Sequence, residues 1–263
     1  MSMPQRPSPQ GKQVSLFITC IMDLVYPESG LSVVDVLEHL GIAVDFPEGQ
    51  TCCGQPAFNA GYQADAAAVA KQFLRAFDHS EVIVTASGSC AAMVRHEYPA
   101  LFADDPEWLP RAERAAAKTW EITEFLVDGL GISDLGARLP EKHTFTFHDS
   151  CHGLRMLGLG QQARELLSHV ENAEVVEMRE HDVCCGFGGL FSVKLPEVSG
   201  AMLHKKMTHI KDTPAETVLL GDASCMMHIN GGLSREGSPK RARHVIDVLA
   251  EGVRESRKES KKG

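Results

Sequence analysis

The chain has 263 residues, of which 43% are apolar and 23% charged, and its formal net charge is −9. This length allows one large domain or two domains of about 130 residues, and the acidic balance argues against nucleic acid as a partner. No stretch approaches the ~18 consecutive apolar residues of a membrane span, and the N-terminus lacks the apolar segment of a signal peptide. We therefore expect a cytoplasmic protein, in which clustered cysteines bind metal or do redox chemistry more often than they form disulfides.

The first half of the chain alternates predicted strands and helices. Short β-rich runs predict strands at 14–19, 42–46 and 81–85. Helical periodicity or high alanine content predicts helices at 32–40 and 57–77, and two or three further helices between 91 and 130. The segment 131–141 contains glycine and proline and few large apolar residues, so it is interpreted as the boundary between two halves.

The second half repeats this order of elements. Strands are predicted at 144–147, 174–178 and 217–220, with helices at 161–170 and 195–210. Strands that alternate with helices indicate a mostly parallel sheet, so we predict an α/β protein of two similar Rossmann-like halves related by internal duplication. The predicted domains span 13–135 and 142–252, and the charged or proline-rich tails 1–12 and 253–263 are expected to be disordered.

The cysteines repeat with the same order in both halves: single, pair, single. Equivalent cysteines are 131 (20 to 151), 132 (52 to 184) and 135 (90 to 225) positions apart, which supports duplication. The pattern uses all eight cysteines, which are Cys20, Cys52, Cys53 and Cys90 in the first half and Cys151, Cys184, Cys185 and Cys225 in the second.

Each cysteine element follows a predicted strand. Since parallel strands end at the same edge of a sheet, the four sulfurs of each half are expected to converge there. Four thiolates suit an iron–sulfur cluster or a zinc ion. Buried core cysteines and disulfides are the alternatives, and two matching sets without a spare cysteine disfavour both. The histidines beside the motif cysteines could move protons or hydrogen-bond a sulfur, but they are interpreted as satisfied loop residues: His148, His152, His181 and His228. The neighbouring aspartates are interpreted as caps or turn formers rather than bases: Asp149, Asp182 and Asp222.

Four segments resemble the cysteine-rich (Cys-Cys-Gly) domain family, whose more distant relatives include the iron–sulfur subunit of glycolate oxidase and one of the subunits of heterodisulfide reductase. They are residues 52–62 (CCGQPAFNAGY), 148–155 (HDSCHGLR), 184–194 (CCGFGGLFSVK) and 222–228 (DASCMMH). The resemblance covers nearly the whole chain apart from the tails. The chain differs from the heterodisulfide reductase-like relatives at Met93 and His228, where those relatives have a fifth cysteine. This difference argues against a five-thiolate cluster.

The resemblance implies an iron–sulfur protein in the oxidation of L-lactate to pyruvate, which allows lactate utilization. It implies that all eight cysteines are cluster ligands, with one [4Fe-4S] cluster per half, and that zinc in one half is an alternative. It also implies partner proteins of lactate utilization, one with ferredoxin-type clusters, and a small hydroxy acid as the substrate of the complex.

Three function hypotheses follow. In the first, the chain is a redox subunit, and a partner handles the paired electrons because this sequence has no flavin or nicotinamide fingerprint. In the second, adjacent cysteines act on a substrate disulfide, which requires a reactive thiolate that no metal engages. In the third, zinc stabilises a scaffold that organises partners. Metal identity separates the third from the first, and a disulfide reductase assay separates the second.

Overall fold

The computed structural model describes residues 6–260, apart from the side chains of the last two of these. The described residues form two four-stranded sheets, with strand orders β2-β1-β3-β4 and β6-β5-β7-β8, in which every neighbouring pair is parallel. The strands are β1 (Val14–Leu16), β2 (Val44–Asp45), β3 (Val82–Thr85), β4 (Thr119–Glu121), β5 (Arg138–His148), β6 (Glu171–Val175), β7 (Thr217–Leu220) and β8 (Arg241–His244).

Helices cover both sheets and follow most of the strands. Three helical stretches contain a π-helical turn, at Met93–Glu97, Phe125–Gly129 and Gly153–Leu157. The α-helices are α1 (Cys20–Val25), α2 (Pro27–His39), α3 (Gln55–Asn59), α4 (Gln63–Ala76), α5 (Gly88–Ala92), α6 (Tyr98–Leu101), α7 (Leu109–Lys118), α8 (Ile122–Glu124), α9 (Gln162–Ser168), α10 (Phe191–Lys194), α11 (Pro196–Lys211), α12 (Ala223–Arg235) and α13 (Val245–Ser260). None of the helices within the described range has the length and apolar character that a membrane crossing requires.

The strand register shows the duplication directly. Val14 of β1 pairs with Val44 and Val82, whereas Phe145 of β5 pairs with Val175 and Thr217. The equivalent positions differ by 131, 131 and 135 residues, the offsets found for the single cysteines that follow β1 and β3. The predicted fold class, a duplicated α/β architecture with parallel sheets, is confirmed.

Both halves contribute to one apolar core. Along β3, Val82 and Val84 belong to a core that also contains Phe145 and Leu249 of the second half, whereas Ile83 between them faces a separate core of the first half. This alternation follows from the two-residue period of a strand. A third core lies within the second half. The halves are therefore joined by buried apolar surface, and the sheet edges are held in a defined relation.

Several elements differ from the sequence-based predictions. The predicted helix 57–77 is two helices, α3 and α4, because Gly61 adopts a positive φ of 86° between them. The strand expected at 174–178 lies at Glu171–Val175 instead. Neither β4 nor β8 was predicted, since β4 has three residues and β8 contains two arginines and a histidine.

Part of the predicted C-terminal tail is helical. Helix α13 has its apolar residues buried up to Val253 and continues to residue 260. Arg254 forms an ion pair with Asp35 of α2 at 2.9 Å, which ties the helix to the first half. At the other end, Arg6 stacks its guanidinium on the Trp120 ring at 3.2 Å. Residues 1–5 and 261–263 of the predicted tails lie outside the described residues.

Candidate metal centres

The structure brings all eight predicted cysteines to one cleft. Each lies beyond the carboxyl end of a parallel strand, and the cleft is bounded by both halves. The halves meet there through the ends of β3 and β7: Ser87 and Asp222 form an isolated antiparallel bridge, and the Asp222 carboxylate accepts from the Ser89 amide at 2.8 Å. Both sets of sulfurs therefore face the same opening, which the sequence did not predict.

Burial follows the same order in the two halves. The leading single cysteine and the first member of each pair are half-buried, namely Cys20, Cys52, Cys151 and Cys184. The second member of each pair and the trailing cysteine are buried, namely Cys53, Cys90, Cys185 and Cys225. None of the eight forms a disulfide. Each half thus presents two sulfurs from its interior and two from the cleft side.

The sulfurs of the first half are in contact. Cys20 Sγ lies 3.7 Å from Cys52 Sγ, and Cys53 Sγ lies 3.4 Å from Cys90 Sγ. The amide of Gly54 donates to Cys52 Sγ at 3.4 Å, and the corresponding amide of Gly186 donates to Cys184 Sγ at 3.3 Å. Backbone N–H groups directed at sulfur stabilise a thiolate.

The contacts shift the pKa values of neighbouring thiols in opposite directions. Hydrogen bonds from Cys20 and Cys53 lower the pKa of Cys52 to about 3, and hydrogen bonds from Cys151 and Cys185 lower that of Cys184 to about 2. The hydrogen bond to the Cys52 thiolate, followed by burial, raises the pKa of Cys20. These hydrogen bonds favour the thiolate form at the first cysteine of each pair, and a cation would favour release of the thiol protons of the other cysteines.

His148, at the end of β5, lies among the sulfurs of the second half. One of its ring nitrogens, Cys185 Sγ and Cys225 Sγ all lie within 4.8 Å of one another. Its side chain is fully buried, and burial lowers its pKa to about 4. Nδ1 lies 3.2 Å from the His181 carbonyl oxygen, and Nε2 has no hydrogen-bond partner within the described part of the chain. The sequence-based interpretation as a loop histidine is wrong for this residue.

The aspartates beside the cysteines have structural contacts. Asp149 is 2% exposed and forms two hydrogen bonds to the Arg164 guanidinium, at 2.9 and 3.0 Å, and one to His181 at 2.6 Å. Asp222 caps α12 by accepting from the Ser224 amide at 3.1 Å. The Asp222 contact agrees with the cap interpretation, whereas Asp149 belongs to a buried ion pair and is neither a cap nor a turn former.

The glycine after the second cysteine pair has no room for a side chain. Gly186 has a φ of +93°, and an added Cβ would lie 2.7 Å from the Ser199 carbonyl oxygen and 2.9 Å from Met202 Cβ.

We expect Gly186→Ala to lower the free energy of unfolding by about 2 kcal/mol or more, from backbone strain, and to weaken metal retention. Chemical denaturation and metal content measure the two effects. Gly200→Ala is the control, because Gly200 is helical and a Cβ there meets no atom within 4 Å; equal effects of both substitutions would contradict the steric account.

The donor sets fit a soft metal centre. Each has four sulfurs, backbone donors at its thiolate, and an apolar core behind its buried pair, and thiolates select zinc or iron–sulfur clusters. A tetrahedral metal with metal–sulfur bonds of about 2.3 Å places its sulfurs about 3.8 Å apart. The contacts of 3.4 and 3.7 Å in the first half are close to that spacing.

Two kinds of sequence comparison agree. The family model described as "Cysteine-rich domain" (CCG) matches residues 14–95 and 145–230, one match in each half. The chain is 48% identical over 241 residues to lactate utilization protein A 2 of Bacillus cereus strain AH820, which covers 92% of this chain and 99% of that protein. It is also 48% identical over 237 residues to lactate utilization protein A of Geobacillus thermodenitrificans, which covers 90% of this chain and 98% of the relative.

The fold itself recurs at low sequence identity. A hypothetical protein from Helicobacter pylori superposes with a TM-score of 0.63 at 11% identity, over 96% of this chain and 51% of that one. At this identity the similarity concerns the fold alone. The two cysteine-rich matches, the identity along almost the full length and the duplicated parallel sheets lead to one assignment: the chain belongs to the cysteine-rich (CCG) domain family, among the lactate utilization A proteins.

Proposed function

We propose that the protein is an iron–sulfur redox subunit of a system that oxidises L-lactate to pyruvate with partner proteins. The observation that carries the proposal is the convergence of two matched four-cysteine sets on one cleft. The names of its relatives supply the lactate context. Two thiolate-rich sites that face a common opening suit electron transfer between neighbouring centres.

The cysteines would hold the centres as two equivalent sets. Cys20, Cys52, Cys53 and Cys90 would bind one [4Fe-4S] cluster and Cys151, Cys184, Cys185 and Cys225 the other. When bound, such clusters supply one-electron transfer. The chain's own groups would tune them: the Gly54 and Gly186 amides donate to sulfur, and the apolar cores behind the buried cysteines exclude water on that side.

The paired-electron chemistry of lactate is assigned to a partner. A hydroxy acid loses two electrons, so a hydride or electron-pair acceptor must precede one-electron carriers. The proposed complex therefore includes a partner group that accepts the electron pair of a small hydroxy acid, and, as the family resemblance implies, a ferredoxin-type iron–sulfur protein that carries single electrons. This chain alone is then not expected to turn over lactate.

A zinc-stabilised scaffold is the second candidate. The observation that favours it is the sulfur spacing of 3.4 and 3.7 Å, which is near the ~3.8 Å edge of a tetrahedron around one ion. In that case the metal would join the strand ends of each half, and its removal would destabilise the fold.

Metal analysis distinguishes the two candidates. We expect protein purified without oxygen to contain iron and acid-labile sulfide in amounts that correspond to one four-iron cluster per half, and to show an electron paramagnetic resonance signal on reduction. Protein purified in air and treated with a chelator is the control, and it should lose both. Near-stoichiometric zinc without sulfide in the anaerobic preparation would overturn the iron–sulfur proposal.

A further inference from the structure

The two centres differ in their nitrogen neighbours. When the two halves are aligned by the separation between equivalent cysteines, three histidines of the second half correspond to apolar residues of the first half. The pairs are His148 with Phe17 and His152 with Ile21, at an offset of 131, and His228 with Met93, at an offset of 135. Phe17 is fully buried and packs edge-on against Phe73, with ring centroids 4.8 Å apart. The first centre thus has an aromatic hydrocarbon where the second has an imidazole.

His148 has an unprotonated ring nitrogen and lies beside buried sulfur. Its Nδ1 lies 3.2 Å from the His181 carbonyl oxygen, and because a carbonyl only accepts, Nδ1 carries the proton of the neutral ring. Nε2 then has a free lone pair, is buried, and has no hydrogen-bond partner among the described residues. The ring lies beside Cys185 Sγ and Cys225 Sγ, with the ligand atoms of all three residues within 4.8 Å of one another. A buried acceptor without a donor is costly, and a metal ion would relieve that cost.

The other two histidines of the second centre do not share this geometry. His228 is half-buried, and its Nε2 lies 3.4 Å from Ser199 Oγ, so that nitrogen already has a partner. His152 is also half-buried and lines the open cleft, with Nδ1 3.5 Å from Cys151 Sγ. Water can reach both side chains, and neither needs a metal to satisfy its ring. They serve as matched controls for His148.

We propose that Nε2 of His148 is a ligand of the second metal centre in addition to its four sulfurs, which makes one metal ion of that centre five-coordinate, whereas sulfur alone holds the first. This inference rests on the proposed metal binding of both halves. The Nδ1 contact to the His181 carbonyl would orient the ring, as hydrogen bonds to the far nitrogen of metal-bound histidines commonly do. The two centres then differ in ligand chemistry and reduction potential.

The test measures nitrogen coupling to the reduced centres. Anaerobically prepared protein, with natural and with ¹⁵N-labelled histidine, is examined by pulsed electron paramagnetic resonance. We expect one strongly coupled nitrogen that changes with the histidine label and is lost in His148→Phe, which copies Phe17 of the first half. His152→Ile and His228→Met copy the first half at the other two positions and should retain the coupling. If His148→Phe does not fold, the histidine label in the unaltered protein, together with retention of the coupling in His152→Ile and His228→Met, decides.

The outcomes separate this inference from the function on which it rests. The ligand role is overturned if both halves contain iron and sulfide but no strongly coupled histidine nitrogen is found. It is also overturned if the coupling survives in His148→Phe. Both results leave the iron–sulfur function intact. Absence of any metal overturns both. If zinc is found instead, Co²⁺ is the probe: His148→Phe should weaken Co²⁺ binding at one of the two sites by more than about tenfold, and unchanged binding at both overturns the inference.

Discussion

Cys185→Ser should remove the second metal centre and abolish lactate-dependent dye reduction by the assembled system. Cys185 is 1% exposed and belongs to an apolar cluster with Met178 and Ile229. A serine hydroxyl there is a poor ligand for a soft metal and replaces a sulfur in apolar surroundings. Because loss of a ligand's supporting hydrogen bond already costs about 10–100-fold in metal affinity or activity, loss of the ligand itself should cost more than about 100-fold.

The measurement is reconstitution with the partner proteins, together with iron and sulfide content. Cys53→Ser is the parallel variant, and it should remove the first centre in the same way. Met226→Leu is the control, because Met226 is 2% exposed beside Cys225 but has no place in the proposed ligand set. Full activity of Cys185→Ser with the partners would show that the second centre is not in the electron path. Full activity of the unaltered chain without partners would contradict the division of labour.

Arg164→Met should lower the free energy of unfolding by about 3–5 kcal/mol, because it leaves a buried carboxylate without its cation. Arg164 contacts both carboxylate oxygens of Asp149, at 2.9 and 3.0 Å, and its side chain is 17% exposed against 2% for Asp149. It also pairs with Glu177 and lies over the Phe147 ring at 4.8 Å. Asp149 in turn holds His181, whose carbonyl accepts from His148.

Chemical denaturation of apo protein measures this effect without a contribution from metal. Arg164→Met combined with Asp149→Asn should recover part of the loss, since the charge that lacked a partner is then removed. Lys142→Met breaks the exposed pair with Glu174, whose side chains are 75% and 52% exposed, and should change stability by less than about 1 kcal/mol. Similar losses from Arg164→Met and Lys142→Met would show that burial of Asp149 does not set the cost.

The duplicated fold could be predicted because both of its signals are local. Strand runs such as β3 and β7 are continuous and apolar, and each precedes a cysteine that repeats at a near-constant offset. Parallel strands end at one edge, so a pattern along the chain becomes proximity in space. The short strands β4 and β8 lacked this signal: β4 has three residues, and half of β8 is arginine.

By itself, the sequence determined the α/β class, the two-fold repeat and which eight sulfurs lie at the strand ends, because periodicity and spacing carry that information. Only the tertiary structure decided that both sets share a cleft. That arrangement depends on contacts between distant residues, such as the Ser87–Asp222 bridge and the α13–α2 ion pair Arg254–Asp35. It also decided the role proposed for His148, since its burial and the contact of its Nδ1 with the His181 carbonyl exist only in the folded chain.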